Sequence, residues 1–99
     1  MHLERLIEYK TQIYEIAAKY HIKKVYVFGS TARGSSEDAS DADFLIEMEE
    51  AASALGVGGF QYEVQNLLGI DIDVVPTFVL PGVEDRDFVK NIQADAIAL

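Results

Sequence analysis

Val25-Tyr26-Val27-Phe28-Gly29-Ser30-Thr31-Ala32-Arg33-Gly34, followed after a polar stretch by Asp41-Ala42-Asp43-Phe44-Leu45-Ile46, is the part of the chain that decides the fold. An apolar, β-branched and aromatic run stops at a Gly-Ser pair. A second apolar run then opens with two carboxylates at i and i+2. Residues two apart on a strand point to the same face, so Asp41 and Asp43 reach into one small volume. A third run, Ile70 to Val75, carries Asp71 and Asp73, which also share a parity, and Asp73 can join the first two acids from a neighbouring strand. Like charges gathered in one volume repel and call for a cation. Magnesium takes oxygen ligands, commonly one or two carboxylates together with substrate phosphates. Two carboxylates on one face can bridge two such ions roughly 3.5–4 Å apart, the spacing of two-metal phosphoryl-transfer sites.

Each of these residues also has a plainer reading. Asp41 can simply cap a turn in a solvated loop. That reading weakens at Asp43, which abuts Phe44-Leu45-Ile46, because a buried acid needs a partner. Asp71 and Asp73 can keep an edge strand soluble. Gly29 and Ser30 alone describe an ordinary strand-to-helix turn. Beside the acids they describe a phosphate seat: glycine admits close backbone approach, N–H groups at a helix start favour an anion, and Ser30 adds a hydroxyl. No Gly-Lys-Ser/Thr follows, so this is not a Walker A loop, and it is not GxGxxG. Arg33 either meets a phosphate or forms an ion pair, with Asp41 or Asp43 as partners in reach. His2 and His21 are isolated, and no histidine stands near Ser30 in sequence to build a serine triad.

Outward from the motif, Leu3, Leu6, Ile7, Ile13, Ile16, Ala17 and Tyr20 recur at helical spacing and predict one amphipathic helix over 3–20. Strands are predicted at 25–28, 43–48 and 70–75, the last ended by Pro76. A short helix is predicted from Gly29, and 35–40 reads as a polar loop. Residues 49–59 are ambiguous between Ala-rich helix and Gly-rich turn. Phe60, Val64, Leu67 and Leu68 predict a helix stopped by Gly69. Asp85 is placed to cap a last helix with the apolar face Phe88, Val89, Ile92, Ala96 and Leu99. The order α, β, short α, β, α, β, α implies a sheet with helices packed on it, an α/β (α+β) domain. Whether the first two strands run antiparallel is open at this point.

The chain has 99 residues and suits one domain, 1–99. With 49% hydrophobic residues it reads as globular. It has no cysteine, which excludes disulfides and thiolate zinc sites and fits a reducing, cytoplasmic setting. No apolar run is long enough to span a bilayer, and no signal peptide is apparent. The net charge of −9 speaks against tight unaided binding to long nucleic acid, and a triphosphate would need metal ions to screen the encounter.

In the order Gly29-Ser30, Arg33-Gly34, Asp41-Ala42-Asp43 and then a single Asp73 in a later strand, the chain resembles the minimal nucleotidyltransferases of the polymerase-beta-like superfamily. The resemblance implies a small mixed sheet with helices mainly on one face. It implies transfer of AMP from ATP to an acceptor hydroxyl. Asp41 and Asp43 would hold two magnesium ions, Asp73 rather than Asp71 would complete the catalytic metal site, and Gly29 and Ser30 would seat the phosphates. Similar proteins are often antitoxins paired with a helical HEPN-type ribonuclease, a tyrosine of which they adenylylate. Two other readings compete: a module that neutralises such a partner by contact with little or no catalysis, and a stand-alone transferase on a small molecule. No further segment is evident for holding an acceptor, so a protein partner is expected. Exposed apolar side chains for it are expected at Tyr9, Tyr14 and 56–60; the alternative is that the apolar excess fills the core or makes a homodimer.

Overall fold

Three short apolar runs set three strands, and a fourth comes from the tail. In the computed structural model, which describes residues 1–34, 41–50 and 52–99, β1 is Ile22–Phe28, β2 Ala42–Met48, β3 Ile72–Pro76 and β4 Ile97–Ala98. They form one sheet in the order β3-β2-β1-β4. β1 runs antiparallel to both β2 and β4, which settles the orientation that the sequence leaves open. β2 and β3 are parallel, with Asp43 opposite Asp73. The sheet is therefore mixed, and the helix between β2 and β3 is a crossover connection. The predicted polar loop at 35–40 lies outside the described residues.

The helices are α1 (Leu3–Glu8), α2 (Lys10–Lys19), α3 (Gly29–Arg33), α4 (Leu55–Leu68) and α5 (Arg86–Asp95), with a 3₁₀ turn over Thr77–Gly82. The main core lies on one face of the sheet. Val25, Val27, Phe44, Ile46 and Ile72 from the strands meet Leu6, Ile13 and Ala17 from α1 and α2 and Phe60 and Val64 from α4. Phe44 and Phe60 pack edge to face, with ring centroids 6.3 Å apart. A smaller cluster of Phe28, Leu45, Leu80, Val89 and Ile92 covers part of the opposite face, beneath the 3₁₀ turn and α5.

Three expectations need correction. The predicted helix over 3–20 is two helices that meet at Tyr9, where the backbone leaves helical geometry (φ −96, ψ 6) and the Tyr9 N–H donates to the Leu6 carbonyl at 3.0 Å. The last helix stops at Asp95. Ala96 caps it in extended conformation, and Leu99, predicted on the helix face, is buried directly after the edge strand, where its N–H donates to the Val25 carbonyl at 2.9 Å. The apolar side chains expected to be exposed are also not the most exposed ones. Phe60 is fully buried, Tyr9 is half-buried, and the Tyr14 hydroxyl accepts from the Val25 N–H at 3.2 Å and donates to the Leu99 carbonyl at 3.3 Å. The exposed large apolar side chains include Leu55 (87%), Tyr62 (67%) and Phe78 (56%).

Two local devices hold the helices. Gly59, inside α4, leaves room for the Tyr20 ring: a Cβ there would stand 2.4 Å from Tyr20 Cε1. Tyr20 cannot swing aside freely, because its hydroxyl donates to Glu63, which also holds Lys19 at 2.6 Å. Asp85 caps α5, as predicted, by accepting from the Phe88 N–H at 3.0 Å. Asp85→Ala is expected to cost about 1 kcal/mol in urea unfolding. An unchanged midpoint would show that the cap makes no net contribution.

Candidate active site

The site grows out of the end of β1. After Phe28 the chain must turn sharply, and Gly29 does so at φ +71, a left-handed conformation that favours glycine. α3 begins there. Gly29 is also the floor under Asp43: a Cβ on it would lie 2.4 Å from Asp43 Oδ2. The glycine expected to admit a phosphate is thus required, before any ligand arrives, by a carboxylate. The register places Phe28 opposite Asp43 and Asp43 opposite Asp73, so three strands deliver the turn and two acids to one end of the sheet. Asp43 is half-buried and Asp73 exposed. Asp41 stands exposed just before β2. Asp71 precedes β3 and lines, with Asp41, Gln65, Asn66, Gly69 and Ile70, a neighbouring polar cleft of about 490 Å³.

The electrostatics follow from this placement. Burial pushes the Asp43 carboxyl above its ordinary range. The Asp73 charge and a hydrogen bond with Asp73 add to the rise, as does the Asp41 charge, while the Arg33 charge opposes it. A half-buried acid against a second acid is a site short of positive charge. Its donors are all carboxylate oxygens, which suit a hard cation such as magnesium. Among the described residues no three acidic, histidine or cysteine side chains form a ready-made metal cage. The pair fits a divalent cation by its chemistry and its mutual repulsion.

The sign of the pH effect is fixed by that shift. A carboxyl with a raised folded pKa contributes stability that is fully present below its unfolded value and lost as pH rises through the folded one. The metal-free protein should therefore lose stability relative to Asp43→Asn as pH climbs from below 3.8, the ordinary aspartate value, to neutrality. Paired thermal melts across that range test this; parallel curves would contradict it.

Arg33 forms an ion pair, as one of its readings held, but not with Asp41 or Asp43. Its Nη1 lies 2.5 Å from Oδ2 of Asp95, at the end of α5. Asp95 had no sequence signal, since the two residues meet only through the fold. Gln61 and Gln65 were also missed. Gln61 Nε2 donates to the Ile72 carbonyl at 2.9 Å, and Gln65 Oε1 accepts from the Ile72 N–H at 3.0 Å. The two glutamines, one turn apart on α4, fix the backbone next to Asp73. Two amides at i and i+4 were the available signal. Ser30, at the start of α3, is half-buried, and Thr31 behind it is buried with no hydrogen-bond partner for its hydroxyl among the described residues. On the same sheet face, farther along the strands, a second cleft of about 440 Å³ opens between the 3₁₀ turn and α5, lined by Tyr26, Leu45, Glu47, Arg86 and Gln93 among others.

Comparison with known proteins agrees with this geometry. The family model described as a nucleotidyltransferase domain matches residues 9–99. A candidate protein adenylyltransferase of Methanocaldococcus jannaschii is 35% identical over 80 residues, 80% of this chain and 86% of the relative. The solved structure of a candidate minimal nucleotidyltransferase superposes with a TM-score of 0.78 at 30% identity, covering 100% of this chain and 97% of the other. The complex of a tri-AMPylated HEPN toxin from Shewanella oneidensis with MNT antitoxin matches with a TM-score of 0.60 over 90% of this chain and 66% of that one; at 12% identity this is a likeness of fold. The match over nearly the whole chain, the shared fold and the placement of the turn and the acids lead to one conclusion: the chain belongs to the nucleotidyltransferase domain family, in its minimal branch.

Proposed function

We propose that this chain is a magnesium-dependent protein adenylyltransferase that moves AMP from ATP to a hydroxyl, a tyrosine of a helical HEPN-type toxin, and so acts as its antitoxin. The observation that carries the reading is the pairing of Asp43 with Asp73 across parallel strands, beside the turn at Gly29. Asp41, Asp43 and Asp73 would hold the metal, and magnesium there would supply charge neutralisation for the triphosphate and for the charge that develops in transfer. Gly29 and Ser30 seat the phosphates, and Arg33 adds positive charge nearby from its ion pair with Asp95. The acceptor oxygen bonds to the α-phosphorus, the bond to pyrophosphate breaks, and Asp73 takes the acceptor proton. The work of the protein is orientation and charge placement. The assignment of ATP and of a HEPN acceptor rests on the relatives: one is named for adenylyl transfer to protein, and another forms a complex with an AMPylated toxin.

The test uses α-labelled ATP and magnesium, with the chain alone and with the protein that co-purifies with it from its native source. Label on that partner supports the full reading. Label on a small molecule alone would sink the antitoxin role and leave the transferase. No label in any fraction would overturn the activity. A binding test runs beside it: Mg-ATP at about 100 times its dissociation constant should add roughly 2.7 kcal/mol to the unfolding free energy. An unmoved melting curve at millimolar Mg-ATP would count against an intact site.

A further inference from the structure

Arg33 bonds Asp95, and its charge also acts on Asp43. It lies one helical turn beyond Gly29 in α3, and residues four apart on a helix share a face with about 5–6 Å between their Cβ atoms. The Cβ position of Gly29 is already filled by Asp43. A long guanidinium stem rooted one turn away can therefore reach Asp43, and the Arg33 charge already acts on that carboxyl. The bond it makes is the other one, to Asp95.

Asp95 is badly placed for its own helix. It is the last residue of α5, where a carboxylate meets the negative end of the helix dipole, and no basic residue stands in that last turn. Its side chain is nevertheless well sheltered, 24% exposed against 55% for Arg33. The arginine of another element is what offsets it. Guanidinium groups fork onto carboxylates, so an Arg33 released from Asp95 can turn to Asp43, the acid its charge already acts on. There it would occupy the place of a metal ion and cancel the negative charge that attracts one.

We propose that Asp95 is a positioning residue: by holding Arg33 at the end of α5 it keeps the Asp43–Asp73 pair open to a divalent cation. The proposal rests on reading that pair as the metal seat, and the test separates the two. Binding of Mn²⁺, without nucleotide, is measured by the paramagnetic resonance signal of the free ion. The proteins are the wild type, Asp43→Asn, Asp95→Asn, Asp95→Glu and the double variant Asp95→Asn with Arg33→Gln. Wild-type binding that disappears in Asp43→Asn upholds the metal seat by itself. Asp95→Asn should then bind Mn²⁺ roughly three- to tenfold more weakly, in the lower part of the range for residues of one charge network. Asp95→Glu should keep wild-type affinity, and the double variant should recover it, because the intruding cation is gone. A merely structural loss at Asp95 would not be repaired by deleting Arg33. Wild-type affinity in Asp95→Asn, or a double variant as weak as Asp95→Asn, overturns the proposal while leaving the metal seat standing. No Mn²⁺ bound by the wild type overturns both.

Discussion

Asp43→Asn is expected to lower nucleotidyl transfer by roughly 100-fold or more while making the metal-free protein more stable near neutral pH. The two effects have one cause. Asp43 is half-buried on β2 directly opposite Asp73, with the charge of Asp41 close by. Without a cation, its ionised form is disfavoured by burial and by its neighbours. With a metal and a triphosphate present, the same ionised form is what the site needs. Asparagine keeps the shape and hydrogen-bonding capacity but carries no charge, so it relieves the first situation and fails in the second. Transfer of label from α-labelled ATP and thermal melts of the metal-free protein give the two readouts. A variant that keeps its transfer rate would show that the metal is held elsewhere. A variant that loses stability would show that the cluster is not repulsive.

The second large effect is expected at Gly29. Gly29→Ala meets two obstacles at once. The backbone there is left-handed, which costs an L-residue about 1–2 kcal/mol. The new methyl would also sit 2.4 Å from Asp43 Oδ2, so the carboxylate must move. With about 1–2 kcal/mol from the backbone, the melting temperature should fall by roughly 5–10 °C for a domain of this size. Because the atom that must move is a carboxylate of the site, transfer should fall too, by about 100-fold if Asp43 shifts by an ångström. Urea unfolding and labelled transfer check both halves. A variant as stable and as active as the wild type would mean that Asp43 does not rest on Gly29.

Much of this was legible in the sequence. The strand residues Val25 to Phe28 and Phe44 to Met48, the Gly69 stop and the Asp85 cap all read correctly, because each depends on nearest-neighbour chemistry. The shared parity of Asp41 and Asp43 also reads from the sequence, but Asp41 lies just before β2 and lines the neighbouring cleft with Asp71. What was hidden depends on contacts between distant elements. The tail from Ala96 continues the apolar pattern of α5, yet it becomes β4 because the free edge of β1 offers backbone partners at Tyr26 and Val27. Arg33 reads as a phosphate ligand or a local ion pair. Only the packing of α3 against α5 brings Asp95 to it. Phe60 looks like part of a surface segment because glycines precede it, but Gly59 admits the Tyr20 ring and Phe60 is buried against Phe44.

The parallel pairing of β2 with β3 also bears on how the chain folds. β1 and β2 are consecutive antiparallel strands, whereas β3 can dock beside β2 only after the crossover through α4 has closed. Closing that longer loop is slow relative to local pairing. The step that completes the sheet on that side is also the step that forces Asp73 against Asp43. The acids thus oppose the last strand pairing, and a cation that bridges them would favour it. Refolding in the presence of a divalent cation therefore reports when β3 docks. Acceleration would place the β2–β3 pairing in the transition state, and slower unfolding alone would place it afterwards.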